Sequence, residues 1–541
     1  MSAKKPTNES LIRQLTETLA FLAIAVCIFR SFIAEGYMIT TGSMAPTLWG
    51  YHKRIVCPNC NTLFSLGATQ NGTPDNEAAR CPVCTAYPID VTKLKPIEGD
   101  QILVHKHAYE VRSPRRFEVV VFRHPEDFSQ AYVKRVLGLP GETVELKGGN
   151  VYIDGELARK PRDVNQAARI LVDDQSLDVT DDDPDWRRRW VSVTPELASF
   201  DEDKHTWKLL SESPTSPATI SFRNWQRRQM MTTTSVPLSS WPEKLLAAES
   251  YHLPLTYDLK NSALKCRGSL PFNAADDMIS AAKAEQIDPS FETAVKELFR
   301  LSHITPITDS YSYNRQEYNL QPYEVQDVTL ATTIDPTSAT GLVTLHLENA
   351  AVITTMTIDL ARKSATVRVD SQTSTEKTFA VSGRMRLELA LVDGRATLAI
   401  NEDVVSAVSY DPEFERSRST SPENPDAGSV HMEISVAGGK IEIPSLKVYR
   451  DIYYRHQTAS RTQQNSPQRV WKLEPDELFL SGDNSPISLD SRTWKPGTIH
   501  PSYLIGKPLF LHLPSRPGVI KFAGKEFTIR LPDIPRMKSI H

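Results

Sequence analysis

The chain has 541 residues, a formal net charge of -4 at pH 7, 40% hydrophobic residues and 24% charged residues. This length predicts two to four domains, and this composition is that of a folded protein. The small net charge and the lack of a basic run argue against a nucleic-acid partner. With 37 prolines and 23 glycines, the chain favours turns and strands over long helices, so we expect a mainly β fold.

An apolar run near the N-terminus extends from Leu19 to Phe29, where Arg30 interrupts it. It is short for a membrane span of about twenty residues. A buried soluble helix and a signal peptide cleaved near Ala34-Glu35-Gly36 are alternatives. We predict a cytoplasmic tail and a single transmembrane anchor over residues 1–35, because basic residues precede the run and favour the cytoplasmic side. Those basic residues are Lys4, Lys5 and Arg13. The remainder of the chain is then extracytoplasmic.

The segment "TTGSMAPTLW", residues 40–49, places Ser43 on a turn between a glycine and Pro46. A serine hydroxyl needs a base to become a nucleophile. The chain has no G-x-S-x-G elbow, and Pro46 rules out an S-x-x-K motif at Ser43. A lysine serves as a base near neutral pH only if burial lowers its pKa. The apolar segment "AYVKRVLGLPGETVEL", residues 131–146, supplies such a candidate in Lys134.

Three segments in this order resemble the bacterial type I signal peptidase family. They are "TGSMAPTL" around Ser43, "YVKRVLGLPGE" around Lys134, and "SGDNSPISLDSR" at residues 481–492. The segment between the first two, residues 99–126, is also similar to the family. The resemblance covers roughly residues 15 to 56, 96 to 160 and 471 to 541, which is less than half of the chain.

The resemblance implies a membrane-anchored serine endopeptidase of the inner (cytoplasmic) membrane that removes signal peptides from exported preproteins. Its partners are then signal peptides and membrane lipid, and catalysis needs no cofactor. Ser43 is the implied nucleophile, Lys134 the general base, Thr41 an oxyanion-hole hydroxyl, and Ser488 the residue that orients the lysine. The implied supporting ion pairs involve Asp483, Asp490 and Arg492, and the implied substrate-binding residues are Ile39, Leu48, Tyr132 and Val133.

Other interpretations of these motifs compete with the peptidase. Ser43 taken alone is an ordinary turn residue, and Lys134 taken alone is a surface lysine with an apolar stem. The chain is then a membrane-anchored binding or structural protein on an inactive peptidase scaffold. A second alternative is an autoproteolytic relative, although we find no clear self-cleavage site in the sequence.

Two C-x2-C pairs follow the nucleophile segment. They are "CPNC" at residues 57–60 and "CPVC" at residues 81–84, and the loop between them is too short and polar to bury a core. This spacing is typical of a zinc ribbon, so we predict a structural zinc site within residues 55–90. Two disulfides are the alternative in an oxidising exterior. The predicted ligands are Cys57, Cys60, Cys81 and Cys84, which leaves Cys27 and Cys266 unpaired.

A second insertion separates the two halves of the predicted catalytic core, residues 36–162 and 461–541. Residues 163–330 have no clear fold, although residues 276–301 predict one or two helices. Residues 331–460 alternate like strands and predict a β-sandwich similar to a concanavalin-type jelly roll. Asp393-Gly394 and Gly438-Gly439 predict hairpin turns. A glycan or protein ligand is expected for this sandwich on fold analogy alone. The ends of the insertion should lie close together, as in a separable domain.

Overall fold

The structure, a computed structural model, describes most of the chain. The described residues are 8–32, 34–69, 78–124, 127–177, 183–227, 233–242, 244–245, 255–314, 322–379, 383–412, 430–455, 470–512, 514–522 and 525–540.

The α-helices in the described part of the chain are few. They are α1 (Asn8–Phe32), α2 (Ala108–Val111), α3 (Arg162–Ala168), α4 (Phe272–Ala284) and α5 (Pro289–His303). Helices α4 and α5 confirm the prediction made for residues 276–301. The predicted anchor over residues 1–35 largely coincides with α1. Within the residues described, no helix combines the length and the apolar character needed to cross a membrane.

Eleven strands come before the large insertion. They are β1 (Ala34–Met38), β2 (His52–Val56), β3 (Leu63–Gly67), β4 (Ala78–Ala79), β5 (Ile89–Asp90), β6 (Gln101–His105), β7 (Val119–His124), β8 (Asp127–Gly138), β9 (Thr143–Lys147), β10 (Asn150–Ile153) and β11 (Glu156–Leu157). Strands β9 and β10 form a hairpin that pairs Lys147 with Asn150 across the two glycines between them.

Nineteen described strands lie between α3 and residue 450. They are β12 (Ile170–Asp174), β13 (Trp190–Ser192), β14 (Ala198–Asp201), β15 (Thr206–Ser211), β16 (Ala218–Phe222), β17 (Thr233–Pro237), β18 (Leu255–Asp258), β19 (Ala263–Arg267), β20 (Val328–Pro336), β21 (Leu342–Glu348), β22 (Ile353–Asp359), β23 (Ser364–Val369), β24 (Gln372–Thr373), β25 (Lys377–Thr378), β26 (Met385–Val392), β27 (Arg395–Ile400), β28 (Asp403–Ser409), β29 (His431–Ala437) and β30 (Gly439–Arg450).

Six strands complete the catalytic part of the chain. They are β31 (Val470–Lys472), β32 (Phe479–Ser481), β33 (Leu504–Leu511), β34 (Ser515–Phe522), β35 (Lys525–Pro532) and β36 (Lys538–Ser539). The main catalytic sheet has the order β1-β6-β33-β7-β8-β32, with β36 paired to β33. A smaller sheet, β11-β10-β9-β31, adjoins it. Both sheets combine strands from before and after the insertion. The two ends of the insertion must therefore lie near each other for these sheets to form.

The insertion is a sandwich of two antiparallel sheets. One sheet has the order β14-β15-β30-β20-β26-β27-β28, with β12 paired to β30. The other has the order β13-β16-β29-β21-β22-β23-β24, with β25 paired to β23. Alternate side chains of the two sheets form one apolar core. Strands β12 to β16 belong to it, so the boundary expected at residue 330 cuts through the sandwich.

A smaller unit interrupts the sandwich between β16 and β20. Strands β17, β19 and β18 form a three-stranded sheet, and its apolar residues pack with those of α4 and α5. Residues 163–330 therefore hold two kinds of structure. Their first part supplies sandwich strands, and their later part forms this helix-and-sheet unit.

The two turns predicted in the insertion have different outcomes. Asp393 and Gly394 both have positive φ, at 49° and 63°, and they connect the paired strands β26 and β27, which confirms the hairpin. Gly438 also has a positive φ of 61°. It connects β29 of one sheet to β30 of the other, so the predicted hairpin there is wrong. A tight glycine turn also suits a chain that crosses between two packed sheets.

Candidate active site

Strand β8 carries Lys134 and lies between β7 and the edge strand β32 of the catalytic sheet. Its side chains alternate between two faces, as in any strand. Tyr132, Lys134 and Val136 share one face. The apolar neighbours of Lys134 favour a strand, and Val136 and Leu137 are completely buried. Burying each of these two side chains contributes about 1.5–3 kcal/mol. The lysine is thereby held on a rigid and mostly apolar element.

The turn Gly42–Met44 lies over this strand and presents Ser43 to Lys134. Lys134 Nζ donates to Ser43 Oγ at 2.6 Å. The hydroxyl of Thr41 lies 3.3 Å from the same Ser43 Oγ. The structure thus brings together the predicted nucleophile, its predicted base and the predicted oxyanion hydroxyl.

Burial governs the protonation of Lys134, which is only 3% exposed. Burial lowers the pKa of Lys134 to about 8. Arg492 acts in the same direction, whereas the carboxylates of Asp490 and Asp483 favour the charged amine and oppose the shift. An amine with this pKa is neutral in a useful fraction of molecules near pH 8, which is the property that a lysine base requires.

Ser488 is buried beside the nucleophile turn. Among the described residues its hydroxyl has no hydrogen-bond partner, so no bond to Lys134 is formed in this structure. Gly482 lets the two segments approach. A Cβ at Gly482 would lie 2.3 Å from Ser488 Oγ and 2.4 Å from the backbone oxygen of Ser43. The role of Ser488 in orienting the lysine stays a prediction.

The three charged residues predicted to support the site form two separate ion pairs. Arg492 binds both carboxylate oxygens of Asp490, at 2.7 and 2.6 Å. Burial alone would raise the pKa of Asp490, but the guanidinium holds it below its usual value. Asp483 pairs instead with Arg135, again through both oxygens, at 2.7 Å each. All four side chains are fully buried.

The four residues predicted to line the substrate site lie in two apolar clusters. Ile39, Leu48 and Val133 pack together, whereas Tyr132 packs in a neighbouring cluster with residues of β7 and β32. Leu48 has no exposed surface. A peptide would therefore meet the half-buried members, Tyr132 and Val133, before the others. Their role as substrate contacts stays a prediction.

Sequence reasoning missed three residues at this site. Arg135 had a visible signal, because it is a charged residue in the same apolar strand as Lys134. Asn484 lies within the segment of residues 481–492, but the sequence analysis assigned it no function. Its backbone N–H donates to Ser43 O at 3.0 Å, and its Nδ2 donates to Gly42 O at 3.0 Å. Asn314 comes from the insertion and has no local signal at all.

The four cysteines of the C-x2-C pairs converge away from the dyad. Cys57 Sγ lies 3.4 Å from Cys84 Sγ, and Cys60 Sγ lies 3.5 Å from Cys81 Sγ. All four sulfur atoms lie within 4.8 Å of one another and are buried. A tetrahedral zinc with Zn–S bonds of about 2.3 Å places its sulfurs about 3.8 Å apart. This donor set therefore fits a structural zinc ion.

Comparison with known proteins identifies a protein family that is similar to parts of this chain. Residues 79–200 and 395–513 match the family described as signal peptidase, peptidase S26. These ranges contain Lys134 and the motif at residues 481–492. The chain is thus similar to the signal peptidase family over somewhat less than half of its length. Ser43 lies before the matched ranges, so its place in the site rests on its contact with Lys134.

Three curated relatives show how far the similarity extends. Signal peptidase I V of Bacillus subtilis is 30% identical over 101 residues, which are 17% of this chain and 59% of the relative. Probable signal peptidase I-1 of Synechocystis sp. is 41% identical over 127 residues, 21% of this chain and 57% of the relative. Signal peptidase I of Pseudomonas aeruginosa is 32% identical over 155 residues, which are 28% of this chain and 42% of the relative. The chain spans about half the length of these relatives.

Part of the chain is also similar to solved sandwich structures. The galectin LEC-6 of Caenorhabditis elegans is 18% identical, with a TM-score of 0.17, over 23% of this chain and 83% of that chain. The carbohydrate-binding module CBM66 of Bacillus subtilis is 12% identical, with a TM-score of 0.17, over 23% and 74% respectively.

Proposed function

We propose that this protein is a serine endopeptidase that removes signal peptides from exported preproteins. Ser43 is the nucleophile and Lys134 is the general base. The observation that carries the proposal is the 2.6 Å contact between Lys134 Nζ and Ser43 Oγ inside a buried site. The similarity of two long ranges of the chain to the signal peptidase family supports the choice of substrate.

The dyad performs acyl transfer in two stages. Lys134 takes the proton of the Ser43 hydroxyl while Oγ forms a bond to the scissile carbonyl carbon. The Ser43 N–H and the Thr41 hydroxyl stabilise the resulting oxyanion. The C–N bond then breaks, and Lys134 returns its proton to the leaving amine. A water molecule, deprotonated by the same lysine, hydrolyses the ester and restores the Ser43 hydroxyl.

Cleavage of a signal-peptide substrate by the wild type and by Ser43→Ala tests this function. We expect the substitution to lower the rate by several orders of magnitude, because the covalent route is lost. Lys134→Arg should fail as well, since a guanidinium stays protonated. Substantial turnover by either variant would refute the dyad. Loss of cleavage in both separates the enzyme from an inactive binding scaffold.

Lipid contact is a further part of the proposal. Helix α1 contacts strand β1 of the catalytic sheet. Its apolar side chains are 47–74% exposed; they are Ile12, Leu15, Leu19, Phe21, Leu22, Ile24, Val26 and Ile28. We propose that this helix associates with the inner membrane as a single N-terminal anchor, with the catalytic sheet outside the cytoplasm. Release of the full chain from membranes by an alkaline wash would contradict anchoring.

The cysteine cluster is proposed to hold one structural zinc ion. The supporting observations are the four converging, buried sulfur atoms and the fit of their spacing to a tetrahedron. Four protein ligands leave no open position for substrate, so the ion would stabilise the loop around Cys57 and Cys84 and take no part in peptide cleavage.

The sandwich is proposed to bind a polar ligand such as a glycan. An open cavity of about 760 Å³ lies where the sandwich meets the cysteine loop. It is lined by Gln175 and Trp207, which are both buried. Among the described residues, Gln175 Oε1 and Trp207 Nε1 have no hydrogen-bond partner. Titration with cellobiose and chitobiose, monitored by NMR, would test this. Binding that survives Trp207→Phe with unchanged affinity would refute this site.

A further inference from the structure

The insertion reaches the nucleophile turn through the segment Ile304–Asn314, which follows α5. Tyr313 is only 2% exposed, and its ring packs against two glycines. A Cβ at Gly42 would lie 2.3 Å from Tyr313 Cε1, and a Cβ at Gly67 would lie 2.7 Å from the same atom. The Tyr313 hydroxyl donates to Tyr51 O at 3.1 Å. The inserted chain therefore forms one wall of the turn that carries the nucleophile.

The next residue, Asn314, forms a reciprocal amide pair with Asn484. Asn314 Nδ2 donates to Asn484 Oδ1 at 2.9 Å, and Asn484 Nδ2 donates to Asn314 Oδ1 at 2.6 Å. Asn484 Nδ2 uses its second hydrogen on Gly42 O, at 3.0 Å. Because Gly42 O can only accept, this contact fixes the orientation of both amides.

This amide pair helps to fix one peptide plane, together with the Ala45 N–H, which donates to Gly42 O at 3.1 Å. In a trans peptide, the C=O of Gly42 and the N–H of Ser43 point in opposite directions. A hydrogen bond that fixes the Gly42 carbonyl thus also fixes the direction of the Ser43 N–H, which is the proposed oxyanion donor. Polarisation through the chain of amides also strengthens that N–H as a donor.

We infer that Asn314, contributed by the inserted domain, is a positioning residue for peptide cleavage. It holds the Asn484 amide, which in turn aims the Ser43 N–H at the oxyanion. This inference rests on the proposed function. It makes the insertion a part of the active site, whereas the sequence predicts a separable module.

Buried contacts hold the segment in place behind Asn314. Asp309 pairs with both nitrogens of the Arg455 guanidinium fork, at 2.6 and 2.9 Å. The Arg455 backbone N–H donates to Ser485 Oγ at 2.8 Å, and its carbonyl accepts from Arg492 at 2.9 Å. The insertion is therefore tied to the same loop that supports Asn484.

Steady-state kinetics of the full chain test the inference, using Asn314→Ala, Asn314→Ser, Asn484→Ala and the double alanine variant. Removal of a direct oxyanion donor costs about 100-fold or more. For a residue acting through a second one, we expect Asn314→Ala to lower kcat about 10-fold with KM nearly unchanged. The double variant should be no slower than Asn484→Ala alone, because both changes remove one interaction.

Asn349→Ala is the matched control. The Asn349 amide lies inside the insertion, where Nδ2 donates to Gln326 O and Oδ1 accepts from the backbone of Ala351 and Val352. We expect it to lower the melting temperature and to leave kcat unchanged. Unchanged kcat in both Asn314 variants, or effects on kcat that multiply in the double variant, would overturn the inference. The inactivity of Ser43→Ala in the same assay keeps that failure distinct from a failure of the proposed function.

Discussion

At the scale of single residues, the site depends on the amine of Lys134, which is buried although its charged form is more stable in water. The charged form of Lys134 loses hydration in this site, and the pKa falls to about 8. Two carboxylates nearby limit the shift, but each is already paired with an arginine. The ion pairs of Arg135 and Arg492 thus do more than support the fold, because they prevent Asp483 and Asp490 from holding the lysine in its charged form.

The pH dependence of cleavage follows from this amine. Lys134 must be neutral to accept the Ser43 proton, so kcat/KM should rise about tenfold per unit at acidic pH and level off above pH 8. The measurement is the rate between pH 5 and 10 on a substrate for which chemistry is rate-limiting. A profile that is flat between pH 5 and 9 would rule out a lysine base.

The stability of the folded state should rise with pH, as the activity does. Because the pKa of Lys134 is about 8 in the folded state and 10.5 when unperturbed, the unfolded state binds more protons between these values. The burial cost of the lysine is therefore largest below pH 8 and fades as the pH rises toward 10.5. Lys134→Met would remove this cost, and we expect an inactive protein that melts at a higher temperature at pH 7.

At the scale of elements, the sequence predicted what depends on local pattern. The β9–β10 hairpin, the Asp393-Gly394 turn and helices α4 and α5 all carry local signals, and all are present. Strand β16 was not predicted from the sequence, because every side chain from Ala218 to Phe222 is buried and the polar–apolar alternation of a half-buried strand is absent. Asn314 was missed for another reason, since its partner lies 170 residues away in the chain.

The cysteine loop is an element whose stability should depend on metal. Strands β2 and β3 pair, as do β4 and β5, and four of the twelve buried residues in their small apolar cluster are the cysteines themselves. Elemental analysis of protein purified without added metal should give about one zinc ion per chain. Cys84→Ser should lower the zinc content and the melting temperature, because metal binding supplies much of the folding free energy of such a unit.

Cys266→Ser is the control for this measurement. Cys266 is also a buried cysteine, but it lies in the helix-and-sheet unit outside the cluster. The Cys266→Ser variant should therefore retain its zinc. Chelators should inhibit cleavage only slowly, as the loop loses its ion and disturbs the site indirectly. Four oxidised thiols without metal would replace the zinc site by two disulfides and leave the dyad unaffected.

At the scale of the whole molecule, the two ends of the insertion do lie together, as the sequence predicted. Strands β12 and β30 pair Ile170 with Arg450. Lys160, just before the insertion, donates to Asp393 Oδ1 at 2.5 Å and to Asp451 Oδ2 at 2.8 Å. These contacts are almost completely buried and cross between the catalytic core and the sandwich. Charged and amide groups of the two parts bond to each other across this boundary. We therefore expect the catalytic core to depend on the insertion although its ends are close.

Excision of the insertion is the decisive test at this scale. Replacing residues 165–458 by a short Gly/Ser linker joins ends that are close, but it removes Asn314, both partners of Lys160 and the Arg455 backbone that binds Ser485. Small displacements of catalytic groups cost about 100-fold in rate, so we expect kcat/KM on a short peptide to fall at least that far even if the core folds. Replacing only residues 414–429 removes none of these contacts and should leave the rate unchanged. An excised core that folds and cuts as fast as the full chain would show that the insertion serves no catalytic purpose, and that the amide pair at Gly42 is dispensable.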